Sequence, residues 1–89
     1  MPQLFPFGQT VITATADSLV KKGAVIAALQ RHAKGDWGDL DASDKKANDD
    51  ALKNGSRLLS AYADTAGTKF WIITEWDRSL TTVLLPSDY

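Results

Sequence analysis

The clearest hydrophobic pattern lies at the end of the chain, in KFWIITEWDRSLTTVLLPSDY from Lys69 to Tyr89. Four apolar residues in a row, Phe70 to Ile73, predict a strand buried on both faces. A polar corner from Thr74 to Ser79 follows, and Leu80–Leu85 turns extended again up to Pro86. Upstream, Arg57–Tyr62 predicts another strand, joined to Lys69–Glu75 through Asp64-Thr65-Ala66-Gly67. That connection has Asp at the first and Gly at the last position of a type I turn. Three strands on short turns predict an antiparallel meander over Arg57–Leu85, with Phe70–Ile73 in the middle.

The first half of the chain alternates on a different period. Pro2, Pro6 and Gly8 make residues 1–9 irregular, with Leu4, Phe5 and Phe7 capping one end of the core. Thr10-Val11-Ile12-Thr13 is β-branched and predicts a strand that joins a sheet edge. Thr15, Asp17 or Ser18 can N-cap a helix, which is expected to end with Gly23 at its C′ position. Ala24–Ala33 predicts a second helix, with Val25, Ile26 and Leu29 as its apolar stripe and His32 continuing it. Asp41 or Ser43 starts a third, mostly polar helix that runs to Lys53 and stops at Gly55. Its thin inward stripe is Ala47, Ala51 and Leu52. The order β-α-α-α-β-β-β makes a single α+β domain over 1–89, with two to three helices packed on one face of the sheet.

Composition narrows the function classes. The net charge of −1 gives no global basic field for nucleic acid. Cys is absent, which removes disulfides and thiolate chemistry and fits a cytoplasmic setting. The first residues lack a basic and long apolar leader, and no apolar run approaches the ~20 residues of a membrane span. The expectation is a cytoplasmic protein with no membrane contact.

Candidate chemistry is sparse. His32 is the single histidine. It could act as a general base or metal ligand with Asp36 or Asp39, or be a half-buried residue whose protonated form the helix C-terminus favours. The stretch Asp39–Asp50 places acidic residues like a calcium loop, yet its sixth position is Asp44 rather than Gly and its twelfth is Asp50 rather than Glu. Helix capping explains those carboxylates more simply, so no metal and no cofactor is expected. Trp37 and Trp71 read as core. Trp76, Asp77 and Arg78 share the last turn, and an aromatic beside an arginine is the composition of a partner-contact anchor. Asp36–Asp50 carries six Asp against Lys45 and Lys46, while Lys21, Lys22, Arg31 and Lys34 make the preceding helices basic. Asp36, Asp39, Asp41 and Asp44 could therefore offer a basic partner a phosphate-like row.

Arg31-His32, GDWGDL, Asp44, Asn48-Asp49, RLLSAY at 57–62 and the run TEWDRS…TTVLLP…Tyr89 resemble small "plasmid-related" proteins of plasmids and integrative elements. The resemblance implies a mobile-element setting, where small acidic proteins often inhibit host defence as anti-restriction or anti-CRISPR proteins. It supplies no reaction, cofactor or catalytic residue. The resulting expectation is a non-enzymatic protein that binds a host or element-encoded protein, such as a nucleic-acid-binding complex, through Asp36, Asp39, Asp41, Asp44, Trp76, Asp77 and Arg78. The alternative is a small nucleic-acid-binding accessory protein using the basic helices. Two copies could also pair through an exposed edge at Arg57–Tyr62 or Leu80–Leu85.

Overall fold

The computed structural model describes residues 3–89; Met1 and Pro2, part of the stretch expected to be irregular, lie outside the described residues. The elements follow the expected order: β1 (Gln9–Ile12), α1 (Ala14–Leu19), α2 (Lys22–Ala33), α3 (Ala42–Asn54), β2 (Leu58–Ala63), β3 (Lys69–Thr74) and β4 (Leu80–Leu84). A 3-10 turn at Pro86–Asp88 follows. The protein is an α+β domain with a mixed sheet in the order β1-β4-β3-β2.

β2, β3 and β4 form the antiparallel meander, with Ser60 opposite Ile72 and Ile72 opposite Val83. Turn chemistry explains the first connection. Asp64 Oδ1 accepts from the amides of Ala66 and Thr68, and Gly67 N–H closes onto Asp64 O. β1 adds in parallel to β4, with Gln9 against Leu80 and Ile12 against Val83. This corrects one expectation: Leu80–Leu85 is an inner strand and offers no edge for pairing two copies.

Strand alternation sends Leu58, Ser60, Tyr62, Phe70, Ile72, Thr74, Thr81 and Val83 to one face, all of them buried. α1 and α2 cover that face. Ala16, Val20 and Ala28 join Tyr62, Phe70, Ile72, Val83 and Leu85 in one core cluster. A second cluster gathers Phe5, Trp37, Ala51 and Leu58. The expected cap from the first residues is therefore made by Phe5, with Phe7 packed beside it and Leu4 left exposed. Trp37 is core, as expected. Trp71 is only half-buried, on the other face, with its ring 5.8 Å from that of Tyr89.

Helix boundaries depart from the glycine signal. Thr13, not Thr15, Asp17 or Ser18, caps α1, its hydroxyl accepting from Ala16 N–H. The break falls at Val20–Lys21, and Gly23 lies inside the first turn of α2. Tertiary structure decides this. Val20 is buried in the core, and Asp64 Oδ2 accepts Lys21 N–H at 3.3 Å, holding the chain extended there. α3 does not sit on the sheet face with the other two helices. It runs beside the β2 edge, where the buried Asn48 donates to Leu59 O at 2.6 Å and accepts from Leu59 N–H at 3.1 Å.

Candidate functional site

The β3–β4 turn is built by residues the sequence had singled out. Glu75 N–H bonds Leu80 O, and Arg78 N–H bonds Glu75 O. Asp77 accepts both the amide and the hydroxyl of Ser79, which holds its carboxyl below the usual range. Arg78 has φ +60°, a left-handed conformation rare for a residue with a side chain. Its guanidinium explains how that is held. Nη1 donates to Ser56 O at 2.6 Å and Glu75 O at 3.0 Å, and Nη2 donates to Ala51 O at 3.1 Å. The same group lies 5.7 Å from the Phe5 ring centre. A cation among the last carbonyls of α3 is favoured by the helix dipole.

Arg78 therefore braces the turn from beneath, with three of its five guanidinium donors given to backbone carbonyls. Trp76, two residues earlier, projects from the braced turn with 67% of its surface exposed. The indole is thus a large apolar ring held in water on backbone fixed by these bonds.

The acidic residues lie at the other end of α3. Asp36 forms a bidentate pair with Arg31, at 2.7 and 3.1 Å, and also accepts from Gly38 N–H. The Arg31 hydrogen bond lowers its pKa first, with the Gly38 amide adding to it. Arg31 in turn stacks 4.9 Å over Tyr62. Asp41 is the N-cap of α3, accepting from Asp44 N–H at 2.8 Å. Asp44 sits in the favourable first turn, and Asp39 is exposed in the preceding loop. Asp49 accepts from Trp37 Nε1, and Asp50 pairs with Lys46. The Asp36–Asp50 carboxylates thus mostly cap, pair and anchor. Among the described residues, no three His, Cys, Asp or Glu side chains converge to hold a metal. At 1.5 Å per residue, the 13-residue α3 separates the acidic end from the Trp76 turn by about 20 Å.

His32 departs most from expectation. It is fully buried rather than half-exposed, and neutral rather than protonated. Its pKa is lowered to about 4, by burial first and by the Arg78 charge second. Nδ1 contacts Ser60 Oγ, and Nε2 lies 2.9 Å from Thr74 Oγ1. Thr74 reaches Thr81 at 2.9 Å, and Thr81 donates to Phe7 O at 2.8 Å. One proton arrangement satisfies this chain: Thr81 gives to Phe7, Thr74 to Thr81, His32 Nε2–H to Thr74, and Ser60 to Nδ1. The network ties α2, β2, β3, β4 and the N-terminal segment together. It also keeps His32 from Asp36, which is exposed and held by Arg31.

Asn48, Ser60, Thr74 and Thr81 were not singled out as special by sequence. The one available signal was a helix-interior Asn between the apolar Ala47 and Ala51, a poor helix former where packing would favour another residue. No family model, curated protein or solved structure matches this chain.

Proposed function

We propose that this chain is a non-enzymatic binding protein of a mobile genetic element, which blocks a host-defence complex of the kind that anti-CRISPR or anti-restriction proteins target. The observation that carries the reading is Trp76, exposed on a turn that Arg78 fixes to the end of α3. Trp at the centre of an interface is the residue type whose loss costs most. The carboxylates of Asp39 and Asp44 at the far end of α3 add electrostatic complementarity to a basic, nucleic-acid-binding partner. Asp36, Asp41 and Asp77 shape the backbone of those two regions, and Arg78 positions the indole.

The test is affinity capture from host lysate with the tagged chain, wild type beside Trp76→Ala, read by mass spectrometry. One stoichiometric protein, lost with Trp76→Ala while the variant stays folded, is the expected result. Asp39→Lys/Asp44→Lys then slows association with that protein by tenfold or more at low salt, an effect that fades as salt is raised. Capture of nucleic acid alone, weakening steeply with salt, overturns the reading in favour of an accessory factor using Lys21, Lys22, Arg31 and Lys34.

A further inference from the structure

β1 ends the sheet on the side away from β2. Its inward groups are fixed by the bonds from Gln9 N–H to Ser79 O, 3.0 Å, and from Thr13 N–H to Val83 O, 2.9 Å. Backbone groups alternate sides along a strand, so Thr10 and Ile12 turn their N–H and C=O outward. No helix, loop or side chain among the described residues bonds those groups. The strand carries no charge and no proline, the usual devices that blunt an edge. Beside it runs a mostly apolar cleft of about 280 Å³, lined by Ile12, Val20, Val25, Leu29 and Val83, with one charge of each sign, Asp17 and Lys22, also on its wall. Ile12 itself is 37% exposed.

We infer that β1 is the pairing edge of a homodimer, two copies joining antiparallel about a twofold axis at Val11 to make one eight-stranded sheet. The spacing selects a second copy as occupant. The outward residues Thr10 and Ile12 flank Val11 symmetrically, so the axis sets Thr10 against the partner's Ile12 and Ile12 against the partner's Thr10. Each such pair exchanges both its bonds, which satisfies every outward group of both strands with four hydrogen bonds. Val11 meets its own copy as a close pair on the opposite face, and the exposed Ile12 of each copy is covered at the mouth of the cleft. No like charges face each other along the seam. The inference is independent of the Trp76 reading.

Sedimentation equilibrium from about 10 μM to about 1 mM tests it. The mass of the chain is expected to rise from 9.7 kDa to twice that across the range. Thr10→Pro deletes one outward donor per copy and leaves the bonds of Gln9 and Thr13 to β4 intact, so it weakens the dimer about 30-fold. Ile12→Lys, which sets a charge at the seam without altering the backbone, gives a second variant should the first not fold. Wild type that stays monomeric at the highest concentration overturns the inference, and so does a dimer that both folded variants leave unchanged. A monomer whose Thr10 and Ile12 amides gain exchange protection only with an added extended peptide also overturns it, assigning the edge to a foreign strand.

Discussion

At the β2 edge the outward groups of Leu59 and Ala61 have partners; at the β1 edge those of Thr10 and Ile12 have none among the described residues. Leu59 is served by the side-chain amide of Asn48, which offers one donor and one acceptor as a neighbouring strand would. Ala61 is served by loop backbone, its N–H bonding Trp37 O and its carbonyl accepting Asp39 N–H at 2.8 Å. The loop comes this close because Gly38 has φ +76° and no side chain. At β1, by contrast, Thr10 and Ile12 face solvent beside a mostly apolar cleft. The comparison corrects the expectation that Arg57–Tyr62 is an exposed edge and transfers that role to Gln9–Ile12. It also teaches that an edge is closed by geometry rather than by composition, since neither strand carries a charge of its own.

Substitutions and conditions that act on one edge and spare the other sharpen the contrast. The largest effect is expected from Gly38→Ala. Its new Cβ falls 2.0 Å from Ala61 O and 2.8 Å from the Tyr62 ring, in a conformation an L side chain resists. A loss of about 3 kcal/mol or more in urea unfolding follows, because the backbone itself must retreat. Next is acidification. His32 titrates near 4 when folded and near 6.5 when unfolded, so between those values the unfolded chain binds the extra proton. Stability from this group is complete above pH 6.5 and falls as pH drops towards 4, by about 3 kcal/mol. A His32→Gln variant, measured by the same unfolding curves, loses that part of the pH slope.

Asn48→Ala comes third. It leaves the Leu59 N–H and C=O without partners at a half-buried edge, costing about 2 kcal/mol and accelerating exchange of the Leu59 amide. The smallest effect is expected at the open edge. Thr10→Pro changes the stability of the monomer by less than about 0.5 kcal/mol, since the deleted donor bonds nothing within the chain. A cost comparable to that of Asn48→Ala would show that the β1 edge is closed after all.

Local signals carried the meander well. The apolar run at Phe70–Ile73, the Asp64–Gly67 turn and the polar corner at Thr74–Ser79 each act within a few residues, and each element formed where those residues stand. The apolar stripe of α2 was legible in part: Val25 and Leu29 pack on the core and His32 continues them into it, whereas Ile26 is exposed. What His32 meets there was not, because Ser60 and Thr74 lie 28 and 42 residues away. Small hydroxyl residues spaced along strands look like ordinary β formers until a ring nitrogen faces them. The Trp76 turn was readable as a candidate contact, whereas the work of Arg78 was not. Its three carbonyl partners include two on α3 and the residues just after it. Gly23 misled for a related reason: a buried Val20 and a distant Asp64 set the helix break, and the flexible residue merely tolerated it.

The parallel pairing of β1 with β4 has a consequence for synthesis. Gln9 is made well before its partner Leu80, with three helices and two strands of the chain between them. At roughly 5–20 residues per second, β1 waits several seconds before its partner strand exists. The helices and the β2–β3 hairpin can gather in that interval, while the N-terminal strand remains a loose end. The sheet is then completed by the capture of an earlier segment by a later one, with Asp88 clasping Thr13 and Thr15 behind it like a latch.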